Sequence, residues 1–144
     1  MNIKNFLETG SYLGLKVGLS EQALYAILPP KVLGKKHYFD ESNKDEGFSY
    51  FYQAIEIMII EAKIYSLGVD VERSSFTFLN DFTINANSSF ELILKYLDIA
   101  NIAWHFEQQY CYQREITIKT QGNVLLGCVY DKGDYRLSKL KVFE

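Results

Sequence analysis

The 144-residue chain is short of the residues from which most active sites and many partner surfaces are made. It has two histidines, His37 and His105, and neither sits in an HxH, HExxH or Cys/His pattern, so no metal site is signalled. It has two cysteines, Cys111 and Cys128, without CxxC spacing. Two thiols in strand-like sequence do not make a disulfide framework and fit a reducing compartment. Its glycines form neither GxGxxG nor a phosphate loop. Gly14 and Gly18 precede a helix, where they allow a tight entry more simply than they bind phosphate. The only prolines are Pro29 and Pro30.

Charge of one sign is also missing. Net charge is −3, and the basic stripe of a nucleic-acid binder is absent, so direct DNA or RNA binding is not expected. Runs such as Ile57–Ile60 fall far short of the roughly 20 apolar residues of a membrane helix. The opening MNIKNFLETG lacks the apolar centre of a signal peptide, which makes a cytoplasmic protein the expectation.

Aromatic residues, by contrast, are abundant. Eleven Tyr, ten Phe and one Trp make up 15% of a chain that is 48% apolar overall. That composition gives a core for one domain, favours strands, and leaves rings over for a surface. The acidic excess is local: residues 1–72 hold 7 Lys/Arg against 10 Asp/Glu, whereas residues 73–144 hold 8 of each.

Ile3, Phe6 and Leu7 share a helical face in a short opening helix over 2–8 that ends near Gly10. Ser20 caps a second helix carrying Ala23, Leu24, Ile27 and Leu28, which Pro29–Pro30 stop. The aperiodic stretch to about Gly47 is a loop. From Tyr50 the pattern is that of strands. AIEIMII and KIYSLGVDV form a hairpin around Glu61–Ala62, and SFTFL and DFTI follow. Asn87 or Ser88 caps a helix with Phe90, Ile93, Leu94 and Leu97 on one face. Strands come last, near Trp104–Tyr112, Glu115–Thr120, Val124–Tyr130 and Tyr135–Phe143. The expected fold is α+β: an antiparallel sheet of hairpins and a C-terminal meander with two to three helices on it. One domain over 1–144 is expected, with a hint of two similar halves, 1–72 and 73–144, each a helix followed by a meander.

No constellation signals catalysis. A thiol–imidazole pair of His105 with Cys111 or Cys128 could be drawn, and Glu56 with Glu61 could act as acid and base, but a chance pairing and a wet strand face explain them as well. The chain is therefore expected not to be an enzyme and to need no cofactor. The distinctive stretch is HYFDESNKDEGFSYFYQ, residues 37–53. Its acids, Asp40, Glu41, Asp45 and Glu46, lie between the rings Tyr38 and Phe39 and the rings Phe48 and Tyr50. This combination suits a protein partner with a basic surface, the carboxylates steering encounter and the rings supplying contact. The alternative is a solvated loop whose flanking rings enter the core. Trp104, Tyr110 and Tyr112 form a second, weaker candidate face.

The opening NFLETGSYLGLKVGLSEQALYAILPP, followed by the strand pair FYQAIEIMIIEAKIYSLGVDV, resembles small bacterial immunity proteins encoded beside polymorphic or contact-dependent growth-inhibition toxins. The likeness covers the first half and extends to the second in outline. It implies stoichiometric binding and neutralisation of one cognate toxin domain, such as a nuclease, in the cytoplasm. The same opening resembles outer-membrane assembly lipoproteins, but the chain departs from them at ILPPKVLG and in its start. The competing expectation is a small-ligand-binding or self-associating scaffold domain. A homodimer would then form through residues 134–143 as an exposed edge, with Lys139 and Lys141 guarding it.

Overall fold

A computed structural model describes residues 1–144. The first half runs α1 (Lys4–Thr9), α2 (Glu21–Ile27), α3 (Pro30–Leu33), β1 (His37–Tyr38), β2 (Phe48–Tyr52), β3 (Ile55–Ile60) and β4 (Lys63–Val69). The second runs β5 (Phe76–Leu79), β6 (Phe82–Ile84), α4 (Phe90–Ile99), β7 (Trp104–Phe106), β8 (Glu115–Thr120), β9 (Leu125–Asp131) and β10 (Asp134–Phe143). The fold is α+β. One antiparallel sheet of eight strands has the order β1-β2-β3-β4-β10-β9-β8-β7, and β5–β6 stand apart as a hairpin.

Residues 134–143 are therefore not an edge. β10 pairs with β9 on one side and β4 on the other, where Leu140 faces Val69 and Val142 faces Leu67. Lys139 and Lys141 alternate because one face of this central strand is wet, not because its backbone is free. Each half contributes a four-strand meander, and the two meet at β4–β10.

The helix starts follow local chemistry. Ser20 Oγ accepts the Ala23 amide at 3.1 Å, and Ser89 Oγ accepts that of Leu92 at 3.2 Å. The α4 cap is thus Ser89, neither Asn87 nor Ser88; Ser88 Oγ instead accepts the Asn85 amide. Both helices are tied to a central strand in the same way. Ile64 of β4 donates its amide to the Leu19 carbonyl, and Leu137 of β10 donates to Ser88, each acceptor preceding its cap. Pro29 and Pro30 do more than stop α2: Pro30 starts the single turn of α3, where a missing N–H costs nothing.

Burial separates the two faces. Tyr50, Ile57, Leu67 and Val142 form one row on the apolar face, joining Phe6, Leu7, Leu24, Ile93 and Leu97 of the helices and Phe76 and Phe78 of the hairpin in one core cluster. On the opposite face a row crosses the strands as Phe51, Glu56, Gly68, Lys141, Leu125, Lys119 and His105. No helix is long and apolar enough to cross a membrane.

Candidate functional site

The acidic stretch projects from one edge of the sheet, between β1 and β2, and is ordered by its own hydrogen bonds. Asp40 accepts the Ser42 amide at 2.9 Å and the Ser42 hydroxyl at 2.6 Å. Those bonds hold the Asp40 carboxyl below its ordinary range. A single 3-10 turn over Lys44–Glu46 follows, closed by the Glu46 amide on the Asn43 carbonyl. At the neck Phe39 donates its amide to the Gly47 carbonyl, continuing the β1–β2 ladder by one pair. Gly47 has φ 120°, and a Cβ there would lie 2.6 Å from the Ile59 carbonyl oxygen and 2.9 Å from the Phe39 ring. Only glycine lets the ring cross the neck in this way.

Of the eight residues singled out from sequence, four lie exposed at this projection and a fifth, Asp40, is partly buried there. Glu41, Asp45 and Glu46 are exposed, Asp40 is half-buried, and Phe39 is 44% exposed. Tyr38 is half-buried, edge-on to Phe48 at 5.6 Å, with the Lys44 ammonium 4.9 Å from its ring centre. Phe48 and Tyr50 are not contact residues. They are 8% and 1% exposed, because alternation along β2 turns them onto the apolar face opposite Ile59 and Ile57.

Tyr50 is part of the projection's foundation. Its hydroxyl is 2.8 Å from that of Tyr25, which donates to Glu21 at 2.6 Å, and Glu21 lies 3.6 Å from Lys36. Burial, followed by the bonds to Glu21 and Tyr50, pushes the Tyr25 hydroxyl well above the ordinary phenol value. This chain anchors α2 and the residues entering β1 to one another, and Lys36 ends over the Phe48 ring at 4.4 Å.

Phe51 belongs to the exposed surface and is absent from the sequence-derived set. It is 55% exposed and packs edge-on against His37 at 5.0 Å. The period-2 rule identifies it once β2 is known to start at Phe48, since Phe51 then faces away from Tyr50. Beside it, on the open face, runs a groove of about 540 Å³ floored by Gly68 and walled by Phe51, Glu56 and Lys141. Nothing lies within 4 Å of a Cβ at Gly68.

The other chemical candidates are scattered. His105 is on the open face beside Glu107 and Lys119, whereas Cys128 faces the core opposite Leu137 and Ile116, so the two do not meet. Cys128 is fully buried, and that burial, with the Asp134 charge, pushes its thiol up to about 12. Cys111 Sγ is held by backbone groups of Glu107 and Thr117. Glu56 accepts the Ser49 hydroxyl, and Glu61 is in the β3–β4 turn. No three His, Cys, Asp or Glu side chains converge as metal ligands would. In comparisons with known protein families, curated proteins and solved structures, the chain has no match.

Proposed function

We propose that the chain is an immunity protein, which binds one cognate toxin domain stoichiometrically and meets it with the acidic projection. The observation that carries this reading is the order of residues 39–47: three exposed carboxylates, Glu41, Asp45 and Glu46, on a turn that Asp40 fastens to Ser42, with the exposed Phe39 at its neck and Phe51 further along β2. Ordering before binding matters because a mobile loop would lose conformational freedom on association. Carboxylates at such a tip attract a basic surface over a Debye length and reject an acidic one. In a nuclease toxin that surface is the one that grips phosphate, so the same contact would block substrate. The resemblance of the N-terminal half to immunity proteins points the same way.

The experiment is co-expression with the protein encoded beside this chain, scoring survival and co-purification together. Rescue with a 1:1 complex is the expected result. A neighbour that is harmless alone, or that kills regardless, overturns the reading.

The groove over Gly68 favours a second reading, a small-ligand domain. Glu56 and Lys141 stand on either side of the glycine in one cross-strand row, with no ion pair between them, and an aromatic ring lies at one end. Such a groove suits a compact molecule carrying both charges. Filling it with Gly68→Leu would abolish ligand-induced thermal stabilisation on this reading and leave toxin binding by the tip unchanged.

A further inference from the structure

The two edges of the sheet are treated differently. On β1, Phe39 and His37 are the residues hydrogen-bonded to β2, so Tyr38 alone turns its amide and carbonyl outward, and the Lys44 ammonium lies over its ring. A short edge guarded by lysine resists pairing. On β7 the Glu107 amide bonds to Thr117 and the Gln121 amide to Ala103, which makes His105–Lys119 the intervening hydrogen-bonded pair. Trp104 and Phe106 therefore turn both of their main-chain groups outward. No lysine, proline or bulge protects them, and Phe106 is 52% exposed against Phe90 of α4 at 6.3 Å.

We propose that β7 pairs antiparallel with β7 of a second copy, about a two-fold axis through His105. Under that rotation Trp104 of each copy faces Phe106 of the other and exchanges two main-chain hydrogen bonds with it, four in all, so every free edge group is satisfied. The rings suit the same register. Trp104 and Phe106 share the apolar face, 5.5 Å apart and edge-on, and the Trp104 indole is fixed by donating to Asp98 at 3.0 Å. Each indole thus meets a phenylalanine ring across the strands, an arrangement that stabilises sheets. On the open face the two His105 side chains lie together, each flanked by its own Glu107 and Lys119. A foreign strand satisfies the backbone but brings this matched pair of rings only by chance, which is why the second copy is the chosen occupant. The acidic projection is at the far edge of each sheet and stays free in the dimer.

Three paired residues per copy make a small interface, so association is expected at roughly tens of micromolar and above. Sedimentation velocity over a concentration series should show reversible growth from monomer to dimer. Phe106→Lys and, separately, His105→Lys should each weaken it about tenfold or more, because one removes a ring and both place charge on the edge. In the proposed register, position 105 faces its own copy as a non-hydrogen-bonded pair, with Cα atoms about 4.5 Å apart, within disulfide reach. Oxidised His105→Cys should therefore give a covalent dimer whose digest contains a 105–105 link, and it serves as the test if either lysine variant fails to fold. A monomer at every concentration with no 105–105 link overturns the proposal. So does a dimer unaffected by both lysines, or an edge that pairs only with another protein's strand.

Discussion

The hydroxyls of Tyr25 and Tyr50 share a hydrogen bond of 2.8 Å at the junction of α2 with β2. Through Glu21 and Lys36 it connects the helix to the foot of the acidic projection, so the core braces the loop's base while the loop's own hydrogen bonds order its tip. Tyr50→Phe should cost about 1 kcal/mol in denaturant unfolding, since Tyr25 keeps Glu21 as a partner. Tyr50→Ala should cost about 3–5 kcal/mol by emptying a site that is 1% exposed. Partner affinity should be unchanged in the phenylalanine variant, because the tip remains in place.

Gly47→Ala should destabilise by about 2 kcal/mol or more, since the backbone conformation disfavours a side chain and the new Cβ would press on the Ile59 carbonyl. Phe39 must then leave the neck. Loss of order in residues 39–46, seen as faster amide exchange there than in β3, checks the claim.

The β3–β4 turn holds Glu61 and Ala62 at φ 51° and 60°, a geometry that asparagine and glycine adopt with less strain. Replacing the pair by Asn-Gly should raise stability by about 1 kcal/mol, read as a higher midpoint in urea with an unchanged slope. The Ala62 carbonyl, which accepts the Glu21 amide, is kept by the substitution.

Cys128 contributes a pH dependence of defined sign. Its folded thiol is pushed up to about 12 from an ordinary 9.0, so the unfolded chain ionises first. Its contribution to stability is complete below pH 9 and is lost as pH rises from 9 towards 12, at no more than about 1.4 kcal/mol per pH unit. Cys128→Ala should flatten stability against pH in that window relative to wild type. In the native protein at neutral pH Cys128 should also resist thiol reagents that modify it readily in denaturant.

How far the sequence reveals this fold depends on whether a feature is local. The Ser20 cap, the α4 stripe of Ile93 and Leu97, and the Glu61–Ala62 turn are all written in short spacings, and the structure places them within a residue or two. Strand order is not local. Lys139 and Lys141 alternate as they would on a guarded edge, yet a lysine on the wet face of a central strand has the same pattern. Only the pairing of β10 with β4, across about half the chain, separates the two. Likewise Phe48 and Tyr50 have the composition of a sticky surface. The start of β2 decides that they turn inward and Phe51 outward. The acids were legible as exposed, whereas their fixed geometry came from Ser42, Asn43 and Gly47, residues that composition alone passes over.

The most direct measurement is the association rate with the protein encoded beside the chain, the proposed toxin, across a salt series. Wild type is compared with the quadruple variant Asp40→Lys, Glu41→Lys, Asp45→Lys and Glu46→Lys. An acidic projection that meets a basic partner predicts a wild-type rate that falls steeply with salt and a variant about tenfold or more slower at low salt, whose rate rises with salt as the new repulsion is screened. Equal rates and equal salt slopes for the two proteins would contradict it.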